Sequence, residues 1–176
     1  MRFDGFTGDW KERKLNEFTT YGSNSYSLSQ FLKDDFQGVY PVFDANNEIA
    51  RINTYAQEND YISIIKDGAG IGRTELRPAK SSVIGTMGYI NPNNSDINFI
   101  YALMKNINWS KYQNGSTIPH VYYRDYGNEY FSIPRYEQQQ QIGLFFKKLD
   151  DTIGLHQRKL DIYKEQKKGF MQQMFI

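Results

Sequence analysis

The chain has 176 residues, 39% of them hydrophobic and 23% charged, enough for one globular core with an appendage and too apolar for a disordered chain. It contains no cysteine, which excludes disulfides and thiolate metal sites and permits a reducing compartment. No run approaches the roughly 18 apolar residues of a membrane span, and no signal-peptide core opens the chain, so a cytoplasmic protein without membrane contact is expected. The formal net charge is +1, but it is unevenly distributed. Residues 1–60 carry 6 Lys/Arg against 10 Asp/Glu, whereas residues 61–124 carry 7 against 3. The basic middle is either a phosphate-facing surface or a chance segregation of solvated charges.

In chain order, a short helix is predicted after Asp9, with Trp10 and Leu15 or Phe18 on its buried side. Strand-like runs follow at 38–43, 61–65, 82–84 and 120–123, bounded by Gly, Asn and Pro. Between the last two, Asn94-Ser95-Asp96 offers a cap, and Ile97, Ile100, Tyr101 and Met104 recur at helical spacing. The pattern predicts an α+β fold over residues 1–134: one globular domain with a twisted, mostly antiparallel sheet and short helices.

After Pro134 the chain changes character. Residues 135–176 contain no proline, and the positions Ile142, Phe146, Leu149, Ile153, His156, Leu160, Tyr163, Lys167, Phe170 and Met174 alternate in steps of 4 and 3. Ten positions on a 3.5 period, eight of them apolar, predict a long C-terminal helix with a coiled-coil seam. At ~40 residues it would be ~60 Å long, too long for this domain to cover, so it needs a partner. A terminal helix folded back on the core is the competing arrangement. If two copies pair antiparallel, Ile142 meets Met174, Phe146 meets Phe170, Leu149 meets Lys167, Ile153 meets Tyr163, and His156 meets Leu160. A parallel pair would stack His156 on His156 and Lys167 on Lys167, which costs more. Gly143, Gly154 and Gly169 weaken the helix by up to ~1 kcal/mol each relative to Ala, so it depends on association.

Motifs for chemistry are absent. Gly68-Ala69-Gly70-Ile71-Gly72-Arg73 follows a strand-like run but lacks the spacing of a dinucleotide or Walker loop. It is either a turn that brings Arg73 close to a ligand or a plain tight turn. His120 and His156 are the only histidines, far apart, so no metal site is expected. The adjacent carboxylates Asp34-Asp35 and Asp150-Asp151 point apart on any regular backbone. No enzymatic activity is expected. For DNA recognition, the middle supplies Lys66, Arg73, Arg77, Lys80, Lys105, Lys111 and Arg124, interleaved with Tyr89, Asn91, Asn93, Asn114, Ser116, Thr117 and His120 on predicted loops.

Three stretches resemble the specificity subunits of type I restriction-modification systems. The opening Arg2-Phe3-Asp4-Gly5-Phe6-Thr7-Gly8-Asp9-Trp10, followed by Lys11-Glu12-Arg13-Lys14-Leu15, resembles the start of a target-recognition domain. Gly115-Ser116-Thr117-Ile118-Pro119-His120 resembles a segment near its end. The tail is similar to the family's helical spacer, from Ile133-Pro134 through Glu137-Gln138-Gln139, Ile142-Gly143 and Leu149-Asp150-Asp151-Thr152-Ile153 to Lys164-Glu165-Gln166-Lys167-Lys168-Gly169. The resemblance implies a target-recognition domain at 1–134 and a spacer helix at 135–176. It further implies that such subunits read a bipartite double-stranded DNA site and bind methyltransferase subunits through the helical region. Motor-nuclease restriction subunits can join the complex. S-adenosylmethionine would belong to the methyltransferase partner, with no cofactor in this chain. Family members usually carry two recognition domains and two spacers, so a chain with one of each is expected to homodimerise and read a palindromic site. The alternative is a coiled-coil interaction module, an unassembled or decoy fragment, without DNA binding of its own.

Overall fold

The structure, a computed structural model, describes residues 10–24, 26–27 and 38–175. The resembling stretch before Trp10 and the Asp34-Asp35 pair lie outside the described residues. The central sheet has the order β2 (Thr19–Ser23), β8 (Met87–Pro92), β5 (Tyr61–Ile65), β6 (Thr74–Arg77), antiparallel throughout. Every residue of β5 is buried, which requires cover on both faces. Successive side chains alternate between those faces. Ile62, Ile64 and Ile90 turn to a helical layer and share a core with Leu15, Phe18, Ile100, Met104 and Tyr126. Tyr61, Ile65 and Met87 turn the other way and pack with Val42, Ala50 and Val83 of a second sheet. That sheet has the order β4 (Glu48–Ile52), β3 (Tyr40–Phe43), β7 (Ser82–Val83), with β3–β7 its one parallel pairing. The β3–β4 turn is held by Asp44, whose Oδ1 accepts from the Asn46 and Asn47 amides at 2.7 Å each.

The segment after Asp9 departs from the predicted helix. Residues Lys11–Lys14 form β1, pairing antiparallel with β9 (Tyr130–Ile133). Only one helical turn follows, α1 (Leu15–Phe18), and both Leu15 and Phe18 are buried. Long-range pairing with a strand 110 or more residues away overrides the local helical spacing, as tertiary context often does. The predicted strand at 120–123 is replaced by isolated bridges at His120 and the short helix α3 (Tyr123–Tyr126). Among the described residues no neighbouring strand supplies a ladder there. The helix predicted from Ile97 is present as α2 (Ile97–Met104), with Asp96 Oδ1 accepting the Phe99 amide at 2.9 Å.

The long helix is α4 (Tyr136–Met174), 39 residues or roughly 58 Å. Its first two turns belong to the domain. Gln139 donates to the Pro134 carbonyl at 2.9 Å and accepts from the Asp96 amide at 3.1 Å, locking the start of α4 to the cap of α2. At Gly143 the two helices touch: a Cβ there would lie 2.6 Å from the Phe99 amide nitrogen, so only glycine fits. Ile142, expected in the intermolecular seam, is only 6% exposed and sits in the helical-layer core, because α2 covers that face. The exposed seam therefore begins at Phe146. Beyond it α4 leaves the domain, and Phe146, Leu149, Ile153, Leu160, Tyr163, Phe170 and Met174 are all exposed, from 38% at Phe146 to 74% at Met174. His156 and Lys167 on the same seam are exposed too. The alternative of a helix folded back on the core does not hold.

Candidate nucleic-acid interface

Register divides the central sheet into two ends. Ile65 pairs with Met87 at one end, and Tyr61 pairs with Arg77 at the other. Two loops are knitted together at the Ile65 end. Gly68 donates to the Pro119 carbonyl at 2.9 Å, and Val121 donates to the Lys66 carbonyl at 2.9 Å. Asn114 and His120 exchange backbone hydrogen bonds at 2.8 and 2.7 Å, closing a small hairpin with Ser116, Thr117 and Ile118 exposed at its tip. Gly115 lies at φ +84°, where a side chain would be strained, and a Cβ would also strike the Ile118 carbonyl.

Between the loops stands an ion cluster. His120 Nδ1 lies 2.7 Å from Asp67 Oδ1, and Lys66 Nζ donates to Asp67 Oδ2 at 2.6 Å. Burial pushes the Asp67 carboxyl up, but the hydrogen bonds from His120 and Lys66 outweigh it and hold the group below its ordinary value. A carboxylate only accepts, so the proton of the imidazole sits on Nδ1. Nε2 is the nitrogen left for another partner. Tyr122 stacks beside the imidazole with ring centroids 6.3 Å apart, and the Arg124 guanidinium lies 4.9 Å over the Tyr122 ring. Arg124 is 79% exposed and its nearest carboxylate oxygen, on Asp125, is 3.7 Å away. The result is a ridge of imidazole, phenol and guanidinium beside the Ser116 and Thr117 hydroxyls. Those groups can donate to phosphates and meet base edges.

The other expected residues fall elsewhere. The Gly68–Arg73 segment is a tight hairpin turn between β5 and β6, with Gly68, Gly70 and Gly72 all at positive φ and Gly72 against the Trp109 ring. Arg73 is turned away onto the Ala45 carbonyl and Asn46 Oδ1, the latter at 2.7 Å. Arg77, Tyr89 and Asn91 project toward the second sheet. The Arg77 guanidinium is lowered by burial, donates to the Ser63 hydroxyl at 3.1 Å and to the Asp44 carbonyl at 2.9 Å, and stacks on Phe43. Asn91 donates to Gln57 at 2.8 Å, and Tyr89 packs against Gly22 and Tyr61. These three are placed to join the sheets rather than to face a ligand. Lys80 and Asn93 are exposed but lie at the Tyr61 end. Lys111, in a 3-10 turn at Trp109–Tyr112, pairs with Glu129 at 3.0 Å. Lys105 lies over the Tyr101 ring of α2. The fourteen expected residues are thus dispersed, and Lys66, Asn114, Ser116, Thr117, His120 and Arg124 are the members gathered on one loop cluster.

Sequence reasoning missed Asp67 and Tyr122. Tyr122 could have been found from the alternation His120, Tyr122, Arg124. Nothing local marks Asp67, whose partner His120 is 53 residues away. Among the described residues no cluster of His, Asp and Glu could hold a metal ion. No described helix is long and apolar enough to cross a membrane.

Comparison with known proteins agrees with this architecture. The family model for the type I restriction modification DNA specificity domain matches residues 7–162. The type I restriction enzyme MjaVIII specificity subunit of Methanocaldococcus jannaschii is 24% identical over 181 aligned positions, covering 95% of this chain and 42% of the relative. Among solved structures, the type I restriction-modification S subunit from M. genitalium superposes with a TM-score of 0.67 at 15% identity, over 86% of this chain and 41% of that one. The HsdS subunit from Thermoanaerobacter tengcongensis gives 0.62 at 13% identity, over 89% and 42%. The chain spans less than half the length of these relatives. The likeness to the solved structures is one of fold, an α+β domain with a long C-terminal helix. Matched along most of its length, the chain belongs to the type I restriction-modification DNA specificity domain family.

Proposed function

We propose that the chain is a non-catalytic DNA-sequence reader that recognises one half of a bipartite site and homodimerises through α4 to read a symmetric one. The observation that carries this reading is the uncovered seam from Phe146 to Met174 on a helix rooted in a folded domain. A second copy, antiparallel, supplies the missing cover, and the rod then holds two loop clusters apart. In this reading His120, Tyr122, Arg124, Ser116 and Thr117 face the DNA, with Lys66 beside them. A rod of ~60 Å corresponds to at most ~17 base pairs at 3.4 Å per step, an upper bound on half-site separation. Methylation and cleavage belong to other subunits, with S-adenosylmethionine held by the methyltransferase.

The helix also offers a surface for such a subunit. Leu144, Leu155 and Ile162 are exposed off the seam and lie within about 20° of one another around the helix. A self-pair through the seam leaves that stripe open, consistent with a second protein partner. Solution mass across a concentration series tests the dimer: twice the chain mass is expected, and a persistent monomer would overturn it. Selection of bound DNA tests the reading: an inverted repeat is expected, and a single asymmetric site would sink it.

One observation favours a second reading. Lys66, Arg73, Arg77 and Lys111 all have partners within the domain, as a protein-interaction module without DNA binding would show. Salt decides between them, because phosphate contacts weaken steeply as counterions are added whereas an apolar seam does not.

A further inference from the structure

Where α4 parts from the domain, it forms a cleft of about 280 Å³ with α2 and β6. Glu75, Asn98, Tyr101, Phe146, Asp150 and Asp151 line it. Its carboxylates are unequally engaged. Asp151 has Lys147 at 3.6 Å, whereas among the described residues Glu75 and Asp150 form no ion pair. The Lys105 ammonium lies 4.6 Å over the Tyr101 ring. Burial lowers its pKa, but the Tyr101 hydrogen bond and the Glu75 and Asp150 charges outweigh that and raise it, so it offsets part of the cleft's negative charge from within the domain. The far end of the same helix carries the opposite character. Lys164, Lys167, Lys168, Met171 and Phe175 share one side of its last turns and are exposed. Lys164 has only its helix neighbour Asp161, at 3.5 Å, and no ion pair engages Lys167 or Lys168 among the described residues.

The seam relates these two surfaces. In its heptad, Gly143, Asp150, Gln157, Lys164 and Met171 occupy one flank, the positions that follow Ile142, Leu149, His156, Tyr163 and Phe170. In an antiparallel pair each flank meets the same flank of the partner. The register that matches the exposed seam, Phe146 with Phe170 and Leu149 with Lys167, sets Asp150 beside Lys164 and Gln157 beside Gln157. Helix α2 lies on this flank, since Gly143 touches Asp96 and Phe99 and Asp150 shares the cleft with Tyr101.

We propose that the cleft between α2 and α4 is the seat of the last turns of α4 from a second copy of this chain. Lys164 and Lys168 of the partner subunit face Glu75 and Asp150. The inference rests on the homodimer reading and goes further: each helix tail clips onto the partner's globular domain as well as its helix. The clip fixes the angle between rod and domains, and so the spacing of the two DNA-reading surfaces.

Charge reversal tests this on the full-length chain, with the mass measured at low salt across a concentration series. One variant carries Glu75→Lys and Asp150→Lys, the other Lys164→Glu and Lys168→Glu, and the domain's thermal melt confirms that each folds. Every substituted contact occurs twice in a symmetric dimer, so each variant alone should self-associate about tenfold more weakly. Mixed in equal amounts, the two should form a heterodimer of native strength, because every reversed cleft then meets a reversed tail. Variants that dimerise as the native chain does, or a mixture that fails to recover, would overturn the clip and leave the dimer standing. A native chain that is itself monomeric would remove the dimer, and the clip with it.

Discussion

The globular domain and the exposed part of α4 solve the same problem in opposite ways. In the domain, Phe18, Ile62, Ile64 and Met104 are fully buried, and most cations have a carbonyl or carboxylate close by. On α4 past Phe146, side chains of equal hydrophobicity remain in water. The domain completes itself within the chain, whereas the helix leaves its apolar surface uncovered. The contrast runs through a single seam. Ile142 and Ile153 both lie on the seam, yet one is 6% exposed and the other 65%. Heptad spacing marks a face to be covered, and the neighbouring elements decide what covers it.

The sharpest way to break that comparison is to remove large side chains on each side of it. Phe18→Ala should destabilise the domain by about 3–5 kcal/mol in denaturant unfolding, whereas Phe170→Ala should leave that transition in place and weaken self-association only. Equal losses at both positions would erase the distinction. Within the seam, Ile142→Ala should cost the domain about 2–5 kcal/mol. Ile153→Ala should stay within about 0.5 kcal/mol when measured below the dimer concentration. At the root of the helix, Gly143→Ala should destabilise the domain by about 1–3 kcal/mol, since the added methyl meets the α2 backbone.

Acid sharpens the loop cluster. Because the Asp67 carboxyl is held below its ordinary value of 3.8, its stabilising contribution is present above that pH and is lost as pH falls through the folded value. Asp67→Asn should therefore remove part of the stability lost below about pH 4 in a pH series of thermal melts. The smallest effect expected is a gain. Gly154 has open space around it, so Gly154→Ala should raise helix content and stabilise the unassociated helix by about 0.5–1 kcal/mol, visible by circular dichroism.

Much of the fold was legible in the residues. The run at Tyr61–Ile65 is a buried strand, Asp96 caps the helix that follows it, and the uninterrupted pattern after Pro134 is one helix. The candidate site was less legible. Charge and loop position selected Arg77 and Asn91 on the same grounds as Arg124 and Thr117. Yet Arg77 and Asn91 face another sheet, and Arg124 and Thr117 face solvent. Strand alternation marks two faces without saying that both are covered.

The caps, the glycine turns and the 3.5-residue repeat of α4 depend on neighbours along the chain and can be read from the residues alone. Other features depend on residues far apart, which the folded chain brings together. Folding pairs β1 with β9, draws Ile142 into the core, and sets Asp67 against His120 so that two loops become one surface. The physical reason is range: helix periodicity and turn geometry act over a few residues, whereas burial and ion pairing depend on which distant segment arrives alongside.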